Sequence, residues 1–453
     1  MEINKFTLTN IGRFEQLEVP LAPTAQLASN VTVLVGNNGA GKTSLLKSLA
    51  TSLSWLVARL RSEKGSGSPI PEEVIRNGAN SAAVQIELTD TYGLAATPDE
   101  NHQFRWLLAK ARKGRKGEHS SHLQALNELA GRYRSRLSED ETVSLPLIAF
   151  YPVERVVLDI PLKIRERHTF FQLDGYDNSL NQGVDFRRFF EWFREREDSE
   201  NESGISEDTL EKLSATLSKD SDVWQTLVEM KASSRDRQLT AVRTAIAHFM
   251  PEFTDLRVRR KPHLHMSVNK NGETLNVLQL SQGEKSLMAL VGDIARRLAM
   301  MNPSLENPLE GDGIVLIDEV DMHLHPTWQR TLVARLTKTF PHCQFVLTTH
   351  SPLVISDHKD LLVYLLDDGE LTPLSSQYGQ DANSVLMDVM HTDIRNAQVN
   401  RKMNDLLDAI HDKAFDQAHR LLAQLEAELP ETNLELLKAR LLLHKQELKH
   451  AQD

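Results

Sequence analysis

The stretch "GNNGAGKTS" (36–44) restricts the fold more than any other part of this 453-residue chain. It follows "VTVLVG" (31–36), a continuous apolar run that suits a strand buried on both faces. It precedes a segment from Thr43 to Leu60 in which Leu45, Leu46, Leu49, Leu53, Leu56 and Leu60 recur at helical spacing. Strand, glycine-rich loop and helix in that order make the G-x-x-x-x-G-K-[ST] pattern a phosphate cradle. Gly36, Asn37, Asn38, Gly39, Ala40 and Gly41 let backbone N–H groups close around a β-phosphate, and Ser44 continues the first helical turn. Lys42 reaches the β/γ oxygens, and Thr43 is a ligand for Mg²⁺.

Two further strand ends complete half of a nucleotide site. "GIVLIDE" (313–319) is a buried-strand pattern that sets Asp318 beside the Mg²⁺ and Glu319 where it polarises the attacking water. "CQFVLTTH" (343–350) brings His350 to the end of another apolar strand, where its imidazole can contact a γ-phosphate. The remaining element, "LSQGEKS" (280–286), lies far along the chain from the phosphate loop (281 − 42 = 239 residues). A serine and a glycine at a helix N-terminus would point hydroxyl and N–H donors at phosphate. One such element and one phosphate loop raise the question of whether a single chain joins them.

Length suggests two or three structural units, with an ordinary 40% hydrophobic and 25% charged content. No apolar run approaches the roughly 18 residues that span a membrane, and "MEINKFTLTN" lacks the pattern of a secretory signal. A single cysteine, Cys343, excludes an internal disulfide and reads as a small buried hydrophobe in a strand. The expectation is a cytoplasmic protein. The net charge of −11 argues against a surface that grips nucleic acid everywhere. "KARKGRKG" (110–117) and "RVRRK" (257–261) are either solvated edges or electropositive patches.

Along the chain, residues 2–8 and 15–21 alternate as an antiparallel hairpin would, and "AAVQIEL" near 83–89 alternates again. Residues from about 100 to 143 read as helical and charged, and "LPLIAFYP" (145–152) as a strand. Residues 180–250 read as helix interrupted by the acidic connector "EDSENESGISED". A strand, a turn at Asn271-Gly272 and a second strand follow, with His263 and His265 expected to share a strand face. An amphipathic helix around Trp328–Phe340 separates the two later apolar strands. Residues 395–453 show helical periodicity only, read as a helical hairpin.

"LSQGEKS" resembles the signature motif of ABC ATPases, usually written LSGGQ, with Gln282 for a glycine and Glu284 for the glutamine. The resemblance implies an α/β fold: an ABC-type P-loop ATPase head with a helical insertion and an all-helical C-terminal extension. The expected divisions are 1–99, an N-terminal lobe with the phosphate loop; 100–275, a mainly helical insertion with returning strands; 276–394, a C-terminal lobe; and 395–453, the extension. It also implies a head-to-tail homodimer sandwiching two ATP molecules, in which Ser281, Gln282, Gly283 and Glu284 complete the site of the partner subunit. "FTLTNIGRFEQLEVPL" and "IDEVDMHLHPTWQ" are similar to the SMC, RecF and OLD-like branch. On that likeness Arg13 is a candidate nucleotide contact, and His323 and His325 belong to a loop that communicates across the dimer; metal ligation is the alternative for these histidines. "YPVERVV", "RQLTAVRTAIAHFMPEF" and "YGQDANSVLMDVM" resemble the PtuA family, ATPase subunits of Septu and retron-associated anti-phage systems. That likeness implies slow or gated Mg²⁺-dependent ATP hydrolysis, an HNH nuclease partner of the PtuB type, oligomers of dimers, and contact with nucleic acid or a retron RNA–DNA element. Arg155 is a candidate sensor of the γ-phosphate or of the interface. The competing expectations are a RecF-like repair ATPase that binds DNA directly and, against the "LHP" motif, a transporter ATPase.

Overall fold

The structure is a computed structural model that describes residues 1–91, 102–153, 156–157, 170–181, 184–203, 223, 235–261, 263–390, 396–430 and 432–450. Contacts divide the chain into two compact units, Met1–Gln380 and Asp381–Asp453.

The first unit is built on a six-stranded sheet in the order Glu370–Pro373, Leu362–Asp367, Val31–Val35, Cys343–Thr348, Gly313–Ile317, Leu147–Tyr151. All neighbours run parallel except the Glu370–Pro373 edge, which is antiparallel. The four strands from Val31–Val35 onward are buried at every residue, as the apolar runs require of strands covered on both faces. The sheet carries the phosphate loop after Val35, Asp318 after Ile317 and His350 just beyond Thr348. Three motifs distant in sequence therefore meet at one edge, the carboxyl ends of parallel strands.

A second sheet is antiparallel, in the order Phe14–Pro20, Glu2–Ile11, Ser81–Thr89, Gln103–Ala111. Its first strand buries Ile3, Phe6, Leu8 and Ile11, and a register shift between Ile3 and Lys5 keeps Ile3 on the core face despite the odd spacing. Gln103–Ala111 corrects the helical reading of 100–143. Phe104, Trp106 and Leu108 alternate into the core, and the charges Arg105 and Lys110 mask a period of two. Helix occupies Gln124–Glu139 instead. The N-terminal lobe thus runs past residue 99.

The insertion supplies helices Phe186–Ser203 and Arg237–Phe249. Of the acidic stretch 197–208, residues 197–203 belong to the first of these helices rather than to a connector, and 204–208 lie outside the described residues. Glu197 accepts from the Val258 amide (2.9 Å) and from Arg243 (3.1 Å), and Glu200 accepts from Arg243 at 2.8 Å. A three-stranded sheet, Glu273–Asn276, His265–Lys270 and Phe253–Arg259, lies beside them in sequence. His263 precedes the strand that His265 begins, so the two share no strand face; the His265 ring bonds the His263 carbonyl instead.

Helix Gln282–Met301 is buried over nearly its whole length, including four charged residues, Glu284 among them. Asp293, Arg296 and Arg297 are at most 2% exposed. The Asp293 carboxylate accepts from Arg296 (2.7 Å), Arg297 (2.6 Å) and the Tyr151 hydroxyl (2.9 Å). Burial penalises every charge here, and both arginines outweigh it at Asp293, whose pKa stays below the ordinary carboxylate value.

The second unit contains helices Ala382–Asp388, Ala397–His411, Phe415–Glu428 and Leu434–His450. The long tail therefore holds three helices where a hairpin was expected, and the unit begins at Asp381, ahead of the expected 395. Its core comprises Met403, Leu406, Ile410, Leu425, Leu436 and Leu443 among others. Leu434, Leu437, Leu441 and Leu448 lie on the opposite side of the last helix, 38–69% exposed.

Candidate functional site

Helix Lys42–Arg61 starts from Gly41 without a side-chain cap and without an acidic residue in its first turn. Its first amide donors are left for a ligand, and the helix dipole adds partial positive charge at the same point. Gly41 adopts φ +106, and a Cβ there would stand 2.7 Å from the Phe14 ring and 3.7 Å from Arg13 Cδ. The first hairpin therefore closes over the phosphate loop, which places the candidate Arg13 beside it. Asn37, Asn38, Gly39 and Ser44 are exposed, Thr43 half-buried, and Gly36 and Ala40 buried. This uncapped, glycine-shaped helix start fits a triphosphate, and the acidic pair opposite fits its divalent cation.

Lys42 is 6% exposed and its ammonium is fully engaged. It donates to the carbonyls of Gly36 (2.8 Å) and Asn37 (3.2 Å) and lies 2.9 Å from His350 Nε2. Burial lowers the Lys42 pKa, and the charges of Asp318, Glu319 and Asp321 only partly oppose this. Burial also lowers the pKa of His350, and the Lys42 charge lowers it further. The imidazole is accordingly neutral near pH 7, with Nε2 accepting from lysine.

Asp318 is fully buried. Its amide donates to Tyr151 O (2.9 Å) on the neighbouring strand, and its Oδ1 accepts from Thr348 Oγ1 at 2.6 Å. The same Thr348 oxygen accepts from the Glu319 amide at 2.7 Å. Glu319 has φ +45, a conformation that is costly for a residue with a side chain and is concentrated at functional sites. One threonine hydroxyl thus fixes both acidic residues. Sequence reading passed over Thr348, although it opens the "TTHSP" segment two residues before His350.

The loop after Glu319 is similarly tied down. Asp321 accepts from Thr349, and Gln329 accepts from Ser351 (2.8 Å) while donating to Leu324 O at 2.9 Å. His325 is the N-cap of helix Pro326–Thr339, its ring accepting from the Thr327 amide. His323 is exposed with φ +64. Among the described residues no group of three or more His, Cys, Asp or Glu could hold a metal ion, so neither histidine pair forms such a centre.

The "LSQGEKS" segment starts its helix with a capping box. Ser281 Oγ accepts from the Glu284 amide, and Glu284 accepts from the Ser281 amide (2.7 Å) and from Lys270 (2.5 Å). Burial works to raise the Glu284 pKa, but the bonds from Lys270 and Ser281 hold it below the usual value. Its carboxylate serves its own chain, which leaves Ser281 and Gln282 as the exposed members of the motif. Gly283 packs against the loop after Glu319: a Cβ there would stand 2.2 Å from the His323 carbonyl oxygen. The structure thus gathers Lys42, Asp318, Glu319 and His350 into one site and sets the signature against the His323 loop. Arg155 lies outside the described residues.

Residues 31–356 match the family described as "AAA domain, putative AbiEii toxin, Type IV TA system". The chain is 33% identical over 413 residues to "Retron Vc95 probable ATPase" of Vibrio cholerae serotype O1 biovar El Tor, covering 84% of this chain and 78% of that one. It is 34% identical over 398 residues to "Retron Ec83 probable ATPase" of Escherichia coli, covering 80% and 71%. A shorter match, 42% over 91 residues, joins it to "Septu protein PtuA" of Bacillus mycoides (strain KBAB4), 20% of this chain and 12% of that one. Among solved structures, the Smc head domain with an extended coiled coil, bound to the C-terminal domain of ScpA and derived from Pyrococcus furiosus, aligns at 15% identity and TM-score 0.46, covering 83% and 96%. No helix among the described residues is long and apolar enough to cross a membrane.

Proposed function

Because the chain belongs to this AAA-domain family and to the same family as the retron ATPases, we propose that it is the ATP-hydrolysing regulatory subunit of an anti-phage defence complex. In this reading two copies sandwich two ATP molecules head to tail and control an associated HNH nuclease of the PtuB type. The retron and Septu names of the relatives support the defence context.

One observation carries the composite site. Ser281 and Gln282 are exposed at a helix N-terminus, whereas Lys42 bonds His350 of its own chain and Asp318 is buried, bonded to Thr348. Ser281 and the Gly283 amide then serve the nucleotide of a partner subunit. Lys42 and the loop amides bind phosphate, Glu319 orients water, and His350 contacts the terminal phosphoryl group. Thr43 and Asp318 would hold Mg²⁺, which supplies charge neutralisation at the phosphates when bound.

Mixing Lys42→Ala protein with Ser281→Arg protein tests the sandwich. Each variant alone is inactive, and the mixture regains about a quarter of wild-type hydrolysis, since half the dimers carry one intact composite site. An inactive mixture, or full activity of Ser281→Arg alone, overturns it. Nuclease control is tested by co-purification from the native operon with and without ATP: a stoichiometric HNH protein is expected, and the ATPase alone leaves DNA and RNA intact.

A second reading, direct DNA binding, has one observation behind it. Lys113, Arg115 and Lys116 are exposed in a turn, although the basic stretch at 257–261 is tied up, with Arg257 on Asp255 and Arg260 on Asp198. Salt-dependent DNA binding that ATP stimulates would favour it.

A further inference from the structure

We propose that the buried cluster of Asp293, Arg297 and Tyr151 ties the signature helix to Asp318, so that Tyr151 acts as a positioning residue for hydrolysis. This rests on the reading that Ser281 serves nucleotide in a partner subunit.

The tie is a continuous series of bonds. Helix Gln282–Met301 begins at the Ser281 cap and reaches Asp293 twelve residues on (293 − 281 = 12), about 18 Å at the α-helical rise. Asp293 accepts the Tyr151 hydroxyl at 2.9 Å, and Tyr151 is the last residue of strand Leu147–Tyr151. That residue pairs with Ile317, and its carbonyl accepts the Asp318 amide at 2.9 Å. A second branch leaves Arg297, which donates to the carbonyls of Gly175 (2.6 Å) and Asp177 (2.9 Å). The Asp177 carboxylate in turn takes Arg61 at 2.7 Å, the last residue of the helix that begins at Lys42. One cluster therefore holds the signature helix and the backbone at Asp318 directly and reaches the far end of the phosphate-loop helix through Asp177.

Rigidity is what such a cluster contributes. Replacing a buried ion pair by apolar groups is often neutral or stabilising, so stability is a weak reason to build one. Charge-assisted bonds in a low-dielectric interior instead fix relative position, because a small displacement of the helix breaks several at once. A load on Ser281 is transmitted to Tyr151 and hence to the backbone carrying Asp318.

The test is a kinetic cycle between Tyr151→Phe, which removes only the hydroxyl, and Ser281→Ala. In the wild-type background Tyr151→Phe is expected to lower kcat about tenfold and to change KM for ATP less than about twofold. In the Ser281→Ala background the same change is expected to lower kcat less than about twofold, because the helix it ties has lost its input. Equal losses in both backgrounds would mean the hydroxyl merely supports the fold, and an unchanged kcat in wild type would mean it does neither; each overturns the proposal. If Tyr151→Phe does not fold, Arg297→Lys replaces it in the same cycle with the same expectations. The Lys42→Ala and Ser281→Arg mixture separates the two readings. If it stays inactive the partner-subunit reading fails, while the cycle still reports whether the signature helix and Asp318 are coupled.

Discussion

Met1–Gln380 puts full charges where water cannot reach, and Asp381–Asp453 puts leucines where it can. In the first unit Asp293, Arg296, Arg297 and Asp318 are essentially inaccessible, each held by several directed bonds. In the second, ion pairs such as Arg440 with Glu426 sit on the surface, and the core is a plain interior of leucine, methionine and alanine. The difference follows from what each unit must fix. Phosphate chemistry needs oxygen atoms held to a fraction of an ångström, which directed bonds provide and apolar packing alone does not. A small helical bundle needs only enough buried apolar area to hold together, and its surplus leucines remain outside.

The contrast breaks at the catalytic end if Lys42 is dispensable. Lys42→Ala is expected to lower ATP hydrolysis at least about 100-fold, the scale for losing one preorganised donor, as read from phosphate release. Asp293→Ala strands two buried guanidinium groups and should destabilise the first unit by about 3–5 kcal/mol in a denaturant titration; a loss below about 1 kcal/mol would sink the view of the cluster as a fixed tie. Leu425→Ala, at a fully buried tail position, should cost about 3 kcal/mol of tail stability and leave kcat unchanged. For pH, the sign comes from His350. Its folded pKa is depressed by burial and by Lys42, so its contribution is full above the ordinary histidine value of 6.5 and declines as pH falls below it. His350→Gln should therefore flatten the acid side of the stability profile, measured by melting temperature from pH 7 down to pH 5. The smallest effect belongs to Leu441→Gln at the 69% exposed position, expected within about 0.5 kcal/mol of wild type.

Much of the catalytic sheet was legible because its strands are buried on both faces and read as unbroken apolar runs ending in Gly36, Asp318 and His350. Other features were hidden by the same local reasoning. Gln103–Ala111 alternates, but Arg105 on its outer face and Lys110 near its end imitate a charged helix. Thr348 has no motif of its own; its importance lies in bonding two residues about thirty positions away, a pairing that only the parallel register of strands Gly313–Ile317 and Cys343–Thr348 creates. The signature likeness sets Glu284 toward nucleotide, whereas its carboxylate bonds Ser281 and Lys270, the capping geometry that S-x-x-E spacing encodes. The Asp293 cluster is not legible in the sequence, because charges inside an amphipathic pattern read as the solvent face, and here that face meets Tyr151 and residues 175–177.

The full engagement of the Lys42 ammonium has a consequence in time. Its three N–H donors face Gly36 O, Asn37 O and His350, so a phosphate oxygen that engages the ammonium displaces at least one of them. Nucleotide capture is then a fast encounter followed by a unimolecular exchange of partners, and the observed rate levels off as nucleotide concentration rises rather than climbing in proportion. Replacing His350 with a residue that cannot accept from Lys42 removes one of the bonds to be exchanged and raises that plateau, even where the resulting complex is held less tightly.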